Sequence, residues 1–490
     1  MRFLLFICVL ALAVALVPGG GLASPSRLDQ PAAFAAVPSA VQVTTTTISI
    51  PTYPYAGFLS MDHSYVYNMD YPILDWQGYE SSNPHPADKS YTAVVLENNW
   101  LRLIFLPELG GRLYGVTVKA TDEELLYQNP VIKPTHWGPP EQGWWLAAGG
   151  IEWCLPVEEH GYESALPWTY DVSNAPEGPT ITLHDSTAMD RVRATISVFL
   201  PANQAAFRIT TRLDNPTGGT VSFKFWANAM LAPGAANTVG PDLRFVVPID
   251  QVTVHSTGDG RLPGPQGAMT WPIYSDVDYS RLGNWDQWLG FFARPQAIQD
   301  WAGVYDEGGL HGVVRVFPHQ VATGVKGFAM GWSNPIDASN WTDLPYTYYV
   351  ELHSGPSPTF WDSLTLGAGQ SLEWSETWMP LQGLPALTMA AAELALGVKA
   401  YGQDLQVAVQ VTGQHSDLSV RVWRRSDCTP IAQYDGVSLD PGGTFSQTLT
   451  GAGLDEKQVV LGVLENGKLL AASDLLGCPR YSIYLPLVSR

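Results

Sequence analysis

The sequence predicts an all-β protein built as one large antiparallel unit followed by a small β-sandwich. Three observations carry that reading. The chain of 490 residues is punctuated by 46 Gly and 38 Pro, and it carries 18 Trp and 21 Tyr. Frequent turn residues and many aromatics are the composition of sandwiches and barrels. Long amphipathic helical patterns are nearly absent, which excludes a helix bundle, a helical solenoid and most α/β enzymes.

Charge narrows the partners. With 26 Lys+Arg against 46 Asp+Glu the formal net charge is −20, the wrong sign for displacing counterions from nucleic acid. Hydrophobic residues make up 46% and charged residues only 15%, so the chain has enough apolar surface to fold.

Taken in order, Met1-Arg2 and the apolar run Phe3 to Val17 read as a secretory signal peptide ending near Ala23. Fifteen apolar residues fall short of the roughly 20 that span a bilayer. The expected mature protein is therefore secreted or at the cell surface, with no membrane span. Residues 24–45 read as a linker. The large unit occupies 46–383. Tyr91 to Glu97 and Trp100 to Leu106 predict a hairpin on Asn98-Asn99. Arg193 to Leu200, Ala206 to Leu213 and Val221 to Trp226 predict a meander, its breaks at Pro201-Ala-Asn and Asp214-Asn-Pro-Thr-Gly-Gly. Gly327 to Trp332, Tyr346 to His353 and Leu372 to Trp378 continue the pattern. Residues 384–490 hold Leu405 to Val411, Leu418 to Trp423 and Val459 to Leu464, the strands of a small sandwich. The stretch Tyr481 to Val488 either completes that sandwich or serves export or surface attachment.

Cys8 leaves with the signal. Cys428 and Cys478 can bridge in an oxidising compartment, and Cys154 reads as a small buried residue beside Trp153.

Three constellations carry candidate chemistry. In Leu109-Gly-Gly-Arg112 the paired glycines permit a tight bend, and Arg112 either holds sugar hydroxyls through its forked donors or pairs with a carboxylate in a turn. Glu152, between Ile151 and Trp153, is a carboxylate in an apolar run, costly to bury unless paired or used. His160 follows it in a polar stretch. In Tyr346-Thr-Tyr-Tyr-Val-Glu351-Leu-His353, period-two alternation places Tyr349, Glu351 and His353 on one face. That face is either a sugar site or an ordinary polar exterior. Trp137, Trp144, Trp145, Trp285, Trp288 and Trp341 lie in loop-like text, where indole faces hold pyranose rings or fill a core. His255, His311 and His319 are scattered and read as surface or structural residues. No metal-ligand, acyl-transfer or phosphate-loop pattern occurs, so no metal and no cofactor is expected.

Glu97-Asn-Asn-Trp-Leu, Leu109-Gly-Gly-Arg112, Tyr127-Gln-Asn-Pro, Gly149-Gly-Ile-Glu152-Trp and His160 resemble a bacterial domain family of unknown function often found ahead of tetratricopeptide repeats. Lys224-Phe-Trp226-Ala-Asn228, Gly327 to Trp332, and Tyr349-Val-Glu351-Leu with Pro356 to Phe360 match its later motifs, over roughly residues 45–383. The family is similar in fold to galactose mutarotases, the β-supersandwich, so the resemblance implies that architecture and a carbohydrate ligand. It places Arg112, Glu152, His160 and Glu351 at marked positions. It further implies Glu351 as base and His160 as acid, with Arg112 and Glu152 orienting the substrate beside Trp153, Asn228, Tyr349 and His353. The chain departs from the family where no tetratricopeptide repeats follow, where Cys154 replaces a polar or aromatic residue, and where Arg315 replaces a common His. The resulting expectation is a secreted carbohydrate-active protein, epimerase-like or glycoside-cleaving. The alternative is a non-catalytic extracellular glycan-binding protein.

Overall fold

The protein is described here by a computed structural model covering residues 41–294, 299–474 and 478. The signal peptide and the Tyr481 to Val488 stretch lie outside the described residues. Within the span expected to be linker, a strand already begins at Gln42 and runs to Thr52. Its Thr44–Thr47 run is β-branched, and it pairs over its whole length with Ala87–Glu97. The only α-helix among the described residues is Trp76–Ser81, capped by Asp75, whose carboxylate accepts from the Gly78 backbone N–H.

The large unit is two sheets packed face to face, one of fourteen strands and one of eight, antiparallel except where Thr52 of Gln42–Thr52 pairs in parallel with Ile132. Leu103, Ile151 and Leu352 of the first sheet share one buried core with Ile196, Ile209 and Trp374 of the second. This is the expected large antiparallel unit. The expected hairpin forms, with Glu97 opposite Arg102. Trp100 belongs to its turn, which Asn98 closes by accepting from the Trp100 and Leu101 N–H groups at 2.8 Å each.

The expected three-strand meander is corrected in its last member. Arg193–Phe199 and Phe207–Asp214 pair as predicted, but the next neighbour of Phe207–Asp214 is the distant Ser371–Gln382. Val221–Phe223 pairs instead with Leu364–Leu366 in a separate ribbon, and Trp226–Gly234 enters the fourteen-stranded sheet. All nine residues of Trp226–Gly234 are buried, the signature of a strand covered on both faces, which alternation alone cannot assign to a sheet.

Seven consecutive strands of the large sheet position the site. In spatial order they are Gln251–Thr257, Leu289–Ala293, Gly324–Ala329, Val350–Gly355, Trp226–Gly234, Ile151–Cys154 and Arg112–Val118. Beyond Gln382 come two four-stranded sheets enclosing their own core of Leu396, Val407, Val420 and Leu461. Cys428 and Cys478 form a disulfide there, Cα atoms 5.5 Å apart. No helix among the described residues is long and apolar enough to cross a membrane.

Candidate functional site

Strand register lines up the polar groups. Glu152 lies opposite Asn228, Asn228 opposite His353, and His353 opposite Lys326. Directly opposed residues of an antiparallel ladder point to the same face, so four polar side chains form one row across four strands. Glu351 lies two residues before His353 and shares that face. Trp153 and Leu352, each adjacent in sequence to a member of the row, point into the inter-sheet core instead. Trp153 donates its indole N–H to the Gly111 carbonyl at 3.1 Å. Alternation therefore separates Glu152 from Trp153 and corrects the expectation that Trp153 contacts the substrate.

Two buried networks flank this row. In the first, the Glu152 carboxylate accepts from Arg112 Nη2 and Trp145 Nε1, both 3.0 Å away at Oε2. Its Oε1 meets His160 Nδ1 at 2.7 Å and Asn228 Nδ2 at 3.3 Å. Arg112 is fully buried, Glu152 is 1% exposed, and Arg112 Nη1 also donates to the Gly149 carbonyl at 2.7 Å. Burial alone raises the Glu152 carboxyl, but the charges of His160 and Arg112 outweigh it and hold it below the usual carboxylate range. Arg112 is thus committed to a carboxylate. Neither it nor Glu152 reaches the cavity wall, which corrects the expectation that both contact the substrate.

In the second network, Lys326 Nζ, fully buried, lies 2.8 Å from Glu159 Oε1, 3.3 Å from His353 Nε2 and 3.8 Å from Glu351 Oε2. It also sits over the rings of Phe360 and Phe328, at 4.6 and 5.2 Å. His353 Nε2 and Glu351 Oε2 are 2.9 Å apart. Burial pushes the Glu351 carboxyl up despite the opposing Lys326 charge. Glu159 is held low, because Lys326 and nearby histidines outweigh its burial. Burial, then Lys326, drives His353 well below the ordinary histidine value, so that ring is neutral. One hollow thus carries two carboxyl groups displaced in opposite directions by unequal shares of burial and neighbouring charge.

The hollow encloses about 560 Å³ on the outer face of the large sheet. Glu159, His160, His255 and Glu351 supply its ionisable groups, while Trp137, Trp145, Trp288, Phe328 and Tyr349 form its aromatic walls. The His160 ring stacks on Trp145 with centroids 4.0 Å apart, and Tyr349 stacks on Tyr127 at 4.6 Å.

A hooked loop brings Glu159 and His160 over the sheet. After Cys154 the chain doubles back, and the Tyr162 N–H bonds the Leu155 carbonyl at 2.9 Å. The Cys154 thiol, pushed well above its usual value by burial, donates to the Glu159 carbonyl at 2.8 Å. Glu159 itself has φ +66°, a left-handed conformation that costs a non-glycine residue energy and clusters at functional sites. Gly161 follows at φ +61°, where a Cβ would lie 2.6 Å from the Leu155 nitrogen.

Of the residues singled out from sequence, His160, Glu351 and Tyr349 line the hollow, while Arg112, Glu152, Asn228 and His353 form the layer beneath. Sequence reasoning missed Lys326 and Glu159, and it read His255, a wall residue, as surface or structural. Trp144, Trp285 and Trp341 are fully buried core residues, whereas Trp137, Trp145 and Trp288 line the cavity. Arg315 spans the sandwich interior, pairing with Glu376 at 3.2 Å and donating to the Gly324 and His353 carbonyls. Arg315 is therefore not among the residues that line the cavity.

The profile of the domain of unknown function DUF5107 matches residues 67–380. The chain belongs to that family. This DUF5107 protein is similar to a crystal structure of a TPR-domain containing protein from Parabacteroides distasonis, at 19% identity and a TM-score of 0.57. The match covers 72% of this chain and 58% of that one, so the chain spans less than two thirds of that protein. It is also similar to a galactose mutarotase-like protein from Clostridium acetobutylicum, at 10% identity, 60% of this chain, 96% of that one and a TM-score of 0.41. A galactose mutarotase related enzyme from Lactobacillus acidophilus matches at 12% identity, 60% and 100% coverage and a TM-score of 0.40. In this DUF5107 protein the aromatic hollow with its two buried polar networks is the candidate site.

Proposed function

We propose that the hollow binds a neutral sugar residue and that Glu351 and His160 move protons at its ring. One observation carries this: two titratable side chains, held by separate buried networks, open into the same aromatic-walled cavity. Aromatic faces match the C–H surface of a pyranose, and a few fixed polar groups orient its hydroxyls. The cations near the hollow are paired, Arg112 with Glu152 and Lys326 with Glu159, which disfavours a charged sugar.

In this reading Glu351 takes the proton of the anomeric hydroxyl. Its raised affinity for protons brings it toward neutrality, where general base catalysis is efficient. The step starts from the His160 imidazolium: Nδ1–H stays donated to Glu152, and the Nε2 proton is the one given to the ring oxygen. The bond from the anomeric carbon to the ring oxygen breaks, the open aldehyde rotates, and reclosure returns both protons. No cofactor enters the balance. Anomer exchange of glucose and galactose followed by NMR, with reducing-end release from glycans measured in parallel, tests the reading. Glu351→Gln and His160→Asn are expected to lower the rate about 10²- to 10⁴-fold each while sugar binding persists. Binding with no turnover in the unaltered protein favours the non-catalytic glycan-binding reading, which the prior engagement of Glu351 Oε2 by His353 and Lys326 also supports.

The leader-like run Phe3 to Val17 and the Cys428–Cys478 disulfide support export to an oxidising compartment.

A further inference from the structure

The hollow shares part of its wall with a neighbouring space. Trp137 and Asn340 also line a second cavity of about 280 Å³. Asn340 closes the short 3-10 turn Ala338–Asn340, so this turn and the Trp137 indole form the ridge between the two spaces. Within the second cavity Trp76 and His136 stack with centroids 3.7 Å apart and planes 22° from parallel. The Trp76 indole is fixed by donating to the Gly143 carbonyl at 3.1 Å, while the His136 side chain is 67% exposed.

The rim of this cavity is polar, and its charges are matched. Lys133 Nζ lies 2.9 Å from both the Ser339 carbonyl and Asp343 Oδ1. The Tyr53 hydroxyl donates to the other Asp343 oxygen at 2.9 Å. His136 Nε2 stands 3.6 Å from Glu80. The open outer face of the exposed His136 ring, backed by the Trp76 indole, lies beside a paired polar edge and fits an uncharged pyranose, whose C–H face stacks while its hydroxyls meet the rim. An anionic group would find the Lys133 ammonium already engaged by Asp343.

Resting on the carbohydrate reading of the hollow, we propose that the second cavity is a binding site for the next sugar residue of the same ligand. The protein then takes the end of a neutral oligosaccharide, one residue in the hollow and its neighbour across the Trp137 ridge on the Trp76–His136 platform. The shared wall is the central argument, since Trp137 and Asn340 border both spaces.

The test is calorimetric titration of the full chain with glucose, galactose and mannose and with their neutral di- and tetrasaccharides. The unaltered protein is expected to bind the oligosaccharides more tightly than the monosaccharides. Trp76→Ala and His136→Ala are each expected to weaken oligosaccharide binding about tenfold, the scale of one lost stacking contact, with monosaccharide affinity unchanged. The exposed His136 makes its variant independent of any folding defect in Trp76→Ala. Equal affinity for mono- and oligosaccharides, or equal losses for both in His136→Ala, overturns this inference and leaves the hollow's reading intact. Absence of binding to every sugar overturns both.

Discussion

His160 Nδ1 lies 2.7 Å from Oε1 of Glu152, a carboxylate whose other oxygen is already held by Arg112 and Trp145. The pair fixes the ring's tautomer, because a carboxylate accepts and so requires the proton on Nδ1. Glu152→Gln keeps the shape and removes the charge. A buried pair broken on one side costs about 3–5 kcal/mol, so the variant is expected to unfold at markedly lower denaturant. The His160 ¹⁵N resonances are also expected to shift toward a tautomer mixture. An unchanged midpoint with an unchanged tautomer sinks the claim that Glu152 positions His160.

Lys326 is the only cation contacting both Glu159 and Glu351 among the described ion pairs, and its charge opposes protonation of each. Lys326→Met leaves two carboxyl groups facing each other without it, at a cost of about 3–5 kcal/mol. Both carboxyl groups are expected to hold protons to higher pH, displacing the acid limb of any sugar-processing activity upward. Carboxyl ¹³C titration reads this without relying on activity, and carboxyl values that stay where they were refute it.

The parts legible in the sequence were those set by local pattern. Turn residues and period-two alternation locate strands, which is why the face shared by Tyr349, Glu351 and His353 was readable from Tyr346 to His353. Glu152 stood out as a carboxylate in an apolar run. Lys326 did not, because its importance comes from lying opposite His353, 27 residues later, and register between distant strands leaves no local trace. Glu159 reads as one more residue of a polar stretch until Gly161 and the Cys154 thiol hook the loop back over the sheet. The tryptophans of loop-like text could not be sorted either, since whether a loop folds over or under its neighbours depends on tertiary contacts.

His255 supplies a pH dependence with a definite sign. Burial and then Lys326 push its value down from 6.5 to about 4, against smaller opposing pulls from Glu159 and Glu351. Between those values the unfolded chain binds a proton that the folded chain refuses, so stability is lost as pH falls from about 6.5 to about 4, by at most about 1.4 kcal/mol for each pH unit. The ring packs edge-on against Phe292 and Phe360, which makes His255→Phe a shape-preserving test. That variant is expected to lose less stability than the unaltered protein between pH 6.5 and 4.5 in thermal melts. Parallel curves for the two proteins contradict the assignment.

Gly149 links backbone geometry to the buried charge network. Its φ of +85° lies in the region glycine tolerates, and a Cβ there would stand 2.1 Å from the Tyr127 carbonyl oxygen. The Gly149 carbonyl in turn receives Arg112 Nη1 at 2.7 Å. An alanine at 149 must therefore either distort the turn or push apart the strands Gln128–Thr135 and Trp145–Gly149, and each movement pulls the carbonyl away from Arg112. Left-handed strain alone amounts to about 1–2 kcal/mol for a residue with a Cβ, and the contact with Tyr127 adds to it. Gly149→Ala is expected to lower the urea midpoint and to weaken ligand binding in the hollow, because the Arg112–Glu152–His160 chain loses its anchor. Gly143→Ala serves as the control, since that glycine also has positive φ, at +71°, but its Cβ would meet open space. If both variants lose equal stability and equal binding, backbone strain alone accounts for the effect and the link from Gly149 to the site fails.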